Sequence, residues 1–116
     1  MLNLNKITEY SYIIKHEKSF KKELRNIYEY ISDELKENKA AIKLINLITN
    51  KIKILEKFPF AYELYKKEKN VEYRKLIVKN YIIIYKIYLK ERKIKILHIY
   101  NQKMNWKTRT PLNQYK

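Results

Sequence analysis

The segment Tyr73-Arg74-Lys75-Leu76-Ile77-Val78-Lys79-Asn80-Tyr81-Ile82-Ile83-Ile84-Tyr85-Lys86, followed by Ile94-Lys95-Ile96-Leu97-His98-Ile99-Tyr100, decides the architecture. β-Branched and aromatic residues dominate it, and such side chains fit a pleated, half-buried surface. Three runs emerge, residues 73–79, 81–89 and 94–100, with turn signals at Lys79-Asn80 and at Lys90-Glu91-Arg92-Lys93. Connections this short join antiparallel neighbours, so the segment reads as a three-stranded meander. The middle run is apolar on both faces, which predicts a central strand. In the last run His98 alternates with Ile96 and Tyr100, while Leu97 and Ile99 point the other way, so period alone leaves open which side of the sheet His98 occupies.

Upstream, Tyr10, Tyr12, Ile13 and Ile14 give way to charge at Lys15, His16, Glu17 and Lys18, which predicts a first strand over residues 10–15. Ser19 is then an N-cap candidate, because its hydroxyl can accept from a free N–H of the first helical turn. Phe20, Leu24, Ile27, Ile31 and Leu35 recur at steps of four, three, four and four, one face of a helix. Asn38 and Lys39 supply a turn, with Asn38 the natural left-handed residue in a chain that has no glycine. A second helix carries Ala41, Leu44, Ile45, Ile48, Ile52 and Leu55 as its stripe and stops before Pro59. Two helices joined so tightly pack as an antiparallel hairpin. Residues 60–72 are polar and lysine-rich without a clear period, and read as a loop. The order β-α-α-β-β-β therefore predicts an α+β domain, one antiparallel sheet with a two-helix hairpin on one face and a basic face free for a partner.

At 116 residues the chain is the size of one domain. The expected core spans residues 10–106, followed by a flexible basic C-terminal tail. Charged residues are 34% and hydrophobic ones 46%, a globular balance. The formal charge of +15 points to polyanions or acidic protein segments as partners. It is unevenly spread: residues 1–58 hold twelve Lys and Arg against eight Asp and Glu, and residues 59–116 hold fifteen against four. An AT-rich coding bias would inflate lysine, but it does not explain why acids vanish after Glu91. The absence of cysteine removes disulfides, thiol catalysis and the common zinc motifs. The N-terminus has no apolar signal region and the longest wholly aliphatic run is Ile82-Ile83-Ile84, so the expected setting is the cytoplasm, without membrane contact.

Several motifs together carry a family resemblance. Leu24, Ile27, Tyr28, Tyr30 and Ile31 follow a first-helix pattern, and Leu55 with Phe58-Pro59 forms an L-x-x-F-P closing the second helix. Arg74-x-Leu76-x-Val78-x-Asn80-Tyr81-x-x-x-Tyr85-Lys86 forms the hairpin signature, and Tyr100-Asn101-x-Lys103-x-Asn105-Trp106 the basic-aromatic tail. In this order, across residues 12–106, they resemble the RelE/ParE superfamily of toxins from bacterial type II toxin-antitoxin modules. The resemblance implies a growth inhibitor neutralised by a cognate antitoxin that lays an acidic, amphipathic segment over the helical hairpin and basic sheet. The leading expectation, which the charge favours, is ribosome-dependent mRNA cleavage; the alternatives are ParE-like, non-enzymatic inhibition of DNA gyrase and an inactive binding relative. Two departures bear on the choice. Relatives that cut mRNA commonly carry an arginine at the position of Ile82, and Ala61-Tyr62 replaces the usual glycine after F-P.

Metal-free RNA cleavage needs a base, a cation for the developing phosphorane charge and an acid for the leaving oxygen. The catalytic candidates are Arg74, Lys75, His98 and Tyr100. His98 is the proton-transfer residue by type, against an ordinary structural histidine. Arg74 suits a phosphate or carboxylate through its bidentate guanidinium, against an ion pair with Glu72 or a helix acid. Lys79, Lys86, Lys103 and Trp106 are candidates for nucleic-acid or target binding, Trp106 by stacking on a base or, in the plainer alternative, by capping the core edge. Asp33-Glu34, Glu68 and Glu72 offer no paired-carboxylate site, and no metal or cofactor is expected.

Overall fold

The protein is described here by a computed structural model that covers residues 11–103. In chain order it contains strand β1 (Ile13–His16), helix α1 (Lys18–Glu29) continued by a π-helical turn (Tyr30–Glu34), helix α2 (Asn38–Ile54), and strands β2 (Glu63–Glu68), β3 (Val71–Val78), β4 (Tyr81–Tyr88) and β5 (Lys93–Asn101). The five strands form one sheet in the order β1-β5-β4-β3-β2. All neighbours are antiparallel except β1 and β5, which run parallel with Ile13 opposite Lys93 and His16 opposite Ile96. The α+β reading holds, and the meander lies where the apolar runs put it.

β4 is central and pays for its apolar character by burial on both sides: Ile83, Ile84, Tyr85 and Ile87 have no exposed surface. On one face Phe20, Ile48, Ile52 and Leu55 of the helical hairpin pack onto Leu76, Val78, Ile83, Tyr85, Ile87, Ile94, Ile96 and Ile99. Each such side chain contributes about 1.5–3 kcal/mol by leaving water, so this layer is the principal driving force for the fold. On the opposite face Tyr73, Ile82, Ile84 and Tyr100 form a smaller cluster flanked by Tyr65, Val71 and Leu97.

Residues 60–72, expected as a loop, supply β2 instead. Four of its six residues are charged and a bulge falls between Leu64 and Lys66, which breaks the alternation that would have announced a strand. Charge and a bulge are what an outermost strand uses to avoid pairing with other chains. β1 starts at Ile13, and Tyr10 lies outside the described residues.

Two local expectations are corrected. Ser19 is not the N-cap: α1 begins at Lys18 after Glu17, and no side chain caps it. The Ser19 hydroxyl instead donates to the Leu97 carbonyl at 2.6 Å. The left-handed residue between the helices is Lys36, with φ 55°, and not Asn38, which opens α2. Asn38 accepts through Oδ1 from the Tyr28 hydroxyl at 3.2 Å and the Ser32 hydroxyl at 3.1 Å, tying the helices together. Here the backbone tightens through a π-type bond from Leu35 N–H to the Tyr30 carbonyl, and Leu35 is left 49% exposed at the end of its stripe. Without glycine, the hairpin turns also place Asn70, Lys79 and Arg92 at positive φ.

Candidate functional site

The open face of the sheet is shaped by one irregularity in β5. Ile84 faces His98 across the ladder and Tyr85 faces Ile96, so Leu97 is an extra residue that resets the alternation. Ile94 and Ile96 before it and Ile99 after it all point at the helices. Lys95, Leu97, His98 and Tyr100 thereby share the opposite face, where strict alternation would have kept Ile96 and His98 together.

Three cross-strand rows follow from the register. Tyr73, Lys86 and Lys95 align across β3, β4 and β5; Lys75, Ile84 and His98 form the next row; Ile77, Ile82 and Tyr100 the third. Lys86 and Lys95 are like charges side by side, an arrangement that costs energy unless something shields it. The Tyr88 ring does so, with Lys86 Nζ 4.9 Å and Lys95 Nζ 5.4 Å from its centroid, while Tyr73 takes Lys86 at 5.2 Å. Burial disfavours the charge on Lys86, but hydrogen bonding with Tyr73 and Tyr88 outweighs it and holds its pKa above the ordinary lysine value. Lys95 also meets Glu17 at 3.6 Å. These groups, with Leu97, His98 and Ser19, line an open cavity of about 270 Å³.

His98 lies stacked on Tyr100, with ring centroids 5.2 Å apart and planes inclined by 15°. Its Nδ1 stands 3.1 and 3.2 Å from the two carboxylate oxygens of Glu23 on α1. Glu23 Oε1 also accepts the Ile99 N–H at 3.1 Å. The carboxylate can reach this strand because β1 pairs only with residues 93–96, leaving the outer edge of β5 open beyond Ile96. Glu17 N–H and the Ser19 hydroxyl bind the carbonyls of Ile96 and Leu97 along the same edge. The main chain of Glu17, just before α1, and the side chains of Ser19 and Glu23 on α1 thus satisfy backbone groups that a longer β1 would have paired.

Arg74 is elsewhere. It lies opposite Tyr85, on the helix side, with its Nε and one terminal nitrogen donating to Glu72 Oε1 at 2.9 and 2.7 Å. The other terminal nitrogen donates to the carbonyls of Phe60 and Tyr62 at 3.2 and 2.5 Å, and the guanidinium rests 5.3 Å from the Phe60 ring centroid. Beside it Tyr85 donates its hydroxyl to the Pro59 carbonyl at 2.8 Å. Arg74 therefore clamps the chain leaving α2 onto the sheet, and the sheet's thickness separates it from His98 and Tyr100.

The other candidates divide similarly. Lys75 shares the open face and pairs with Glu63 at 2.9 Å. Lys79 sits exposed in the β3–β4 turn, where its carbonyl accepts from Gln102 Nε2 at 3.0 Å. Lys103 is exposed, its N–H bonded to Asn101 Oδ1 at 2.9 Å. Trp106 and the rest of the basic tail lie outside the described residues. Sequence reasoning missed Tyr73, Tyr88, Lys95 and Glu23: the first three were legible as strand residues, but nothing in the sequence reveals which rows they join. Among the described residues no three His, Cys, Asp or Glu side chains gather as metal ligands, and no helix is long and apolar enough to cross a membrane.

A sequence model of the family described as the ParE toxin of the type II toxin-antitoxin system, parDE, matches residues 14–106. The chain belongs to the ParE toxin family. The match covers both helices and every strand except the first residue of β1. Two solved structures share the fold of this ParE-family toxin. One, described as the archaeal RelE-RelB complex from Pyrococcus horikoshii OT3, is 18% identical with a TM-score of 0.60, over 79% of this chain and 96% of that one. The other, the chromosomal ParDE toxin-antitoxin system from P. aeruginosa, is 19% identical with a TM-score of 0.63, over 79% and 97%. A search of curated protein sequences gives no significant match.

Proposed function

We propose that this ParE-family toxin halts growth by binding its target through the open sheet face, without a cleavage step, and that the target is DNA gyrase, one of the two targets open under the family resemblance. The observation that carries this reading is the distribution of cations. Among the described residues Arg74 is the only arginine in a strand, and it is turned to the helix side, where it donates to Glu72 and two main-chain carbonyls. At the position where RNA-cutting relatives carry an arginine, Ile82 is 5% exposed within the aromatic cluster. Among the described residues the open face offers lysines for steering and docking but no guanidinium to grip a scissile phosphate.

A cognate antitoxin is the second partner, supported by the two similar structures, which are toxin-antitoxin pairs. The groove of about 880 Å³ beside the helical hairpin suits its amphipathic segment: Tyr30, Ile31, Leu35, Leu44, Leu47 and Tyr81 supply an apolar floor, with Lys43 and Lys79 also lining it.

One observation favours the rival reading, ribosome-dependent mRNA cleavage: the His98–Tyr100 stack adjoins the cavity of Lys86 and Lys95, so a proton-transfer group and cations coexist there. Pulse labelling of protein and DNA synthesis after induced expression separates the two. Early arrest of DNA synthesis is expected; early arrest of protein synthesis, with new mRNA ends, would overturn the gyrase reading in favour of cleavage.

A further inference from the structure

We infer that Glu23 is a positioning residue that holds neutral His98 in its Nδ1–H tautomer and presents Nε2 as a hydrogen-bond acceptor to the target group entering the open-face cavity. This deepens the proposed use of that face and rests on it.

Both oxygens of Glu23 lie within hydrogen-bond distance of Nδ1, and an ionised carboxylate can only accept, so a neutral ring must carry its proton on Nδ1. The ring cannot turn away, because it is stacked on Tyr100 and its neighbour Ile99 is fastened to the same carboxylate. Glu23 is itself fixed by that main-chain bond and by α1, whose Ser19 is anchored one turn earlier to Leu97. Nε2 makes no hydrogen bond to protein among the described residues, and His98 lines the cavity with Lys86, Lys95, Tyr73 and Tyr88.

The cavity volume, about 270 Å³, lies just below the usual range for small-molecule pockets. It takes one chemical group of a larger partner. Lys95 already meets Glu17 there, so Lys86 is the cation that calls for an anion, and Nε2 calls for a donor beside it. An acidic loop of a protein target meets both requirements, its carboxylate on Lys86 and its N–H or hydroxyl on Nε2. A ring in the other tautomer would oppose that donor with its own N–H, so the carboxylate of Glu23, which never touches the partner, sets what can bind.

Glu23→Gln isolates this role. Its oxygen at the Oε1 position, 3.1 Å from both Ile99 N and Nδ1, can still accept the Ile99 N–H, while its NH₂ at the Oε2 position, 3.2 Å from Nδ1, opposes the Nδ1 proton, so the preference for Nδ1–H weakens and Nε2–H gains population. Long-range nitrogen-proton NMR on the imidazole reads the tautomer of the neutral ring directly. The expected result is Nδ1–H in the wild type and a mixture of the two tautomers in Glu23→Gln, with the Ile99 amide still protected and growth inhibition weaker by about twofold or more at equal expression, as the smaller share of the binding-competent tautomer requires. Nε2–H in the wild type would overturn the inference, as would a tautomer mixture in Glu23→Gln with undiminished toxicity. If Glu23→Gln does not fold, His98→Asn carries the test: its amide can still donate to Glu23 but offers no acceptor at the Nε2 position, so toxicity must fall, and a folded, fully toxic His98→Asn refutes the role. A wild-type chain that leaves growth untouched would defeat the toxin reading, while the NMR result still decides the tautomer.

Discussion

Replacing Arg74 by alanine should unfold this protein more readily while leaving the chemistry of the open face intact. The Arg74 and Glu72 side chains are 13% and 9% exposed, and their contact is 2.7 Å. Removing one partner of a buried ion pair leaves the other charge without compensation, at a cost of about 3–5 kcal/mol. Lys67, 4.0 Å from the other Glu72 oxygen and itself largely exposed, can recover part of that loss. The carbonyls of Phe60 and Tyr62 lose their donor as well, though Phe60 is exposed enough for water to replace it. The lower end, about 3 kcal/mol, is the expected figure, out of a total of about 5–15 for a domain of this size. In urea, with a slope of about 1–3 kcal/mol per molar, the unfolding midpoint should fall by about 1–3 M. In the double variant Glu72→Ala with Arg74→Ala the penalty should be smaller than in Arg74→Ala, because the orphaned carboxylate is gone. A midpoint for Arg74→Ala within about 0.3 M of the wild type, together with lost toxicity, would refute this reasoning and return Arg74 to the target site.

Tyr85→Phe removes the hydroxyl that satisfies the Pro59 carbonyl and should cost about 1–3 kcal/mol in the same assay, with no change in target preference. Burial raises the pKa of Tyr85 and of Tyr65, for Tyr65 with a further push from neighbouring Tyr73 and Tyr100. The unfolded chain releases tyrosine protons from about pH 10 while these two keep theirs. The unfolded state then binds fewer protons, so stability should be intact below that pH and decline as pH rises above it, which calorimetry beside tyrosinate absorbance would record. Ser19→Ala should lower stability by about 1 kcal/mol and speed amide exchange at the start of α1, since its bond to Leu97 docks the helix on β5. Lys86→Glu combined with Lys95→Glu should abolish toxicity without loss of fold; retained toxicity would take the open face out of target binding.

The helical hairpin and the three-stranded meander were legible because their cores are periodic. Phe20, Leu24 and Ile27 repeat at helical steps, and β4 is apolar on both sides because both its faces are buried. β2 was illegible for the opposite reason: as a charged, bulged outer strand its place comes from pairing with β3, with no pattern of its own. The parallel β1–β5 pair joins residues some 80 positions apart, and no local signal encodes such a partnership. The sequence alone did not place the candidate residues on one face or the other. Lys86, His98 and Tyr100 do share the open face, Lys75 lies beside them, and Arg74 does not.

The sequence by itself determined the helical hairpin, the three-stranded meander with its central strand and the basic excess, because periodicity, turn residues and charge are properties of short segments. Only the folded structure decided which side chains meet. Alternation along β5 would have put His98 with Ile96 among the core residues; the single extra residue Leu97 turned it to the solvent side beside Lys95. A bulge forms where long-range packing demands it, because the helices must receive Ile96 and Ile99 together, and that demand comes from residues of α1 and α2 more than forty positions away.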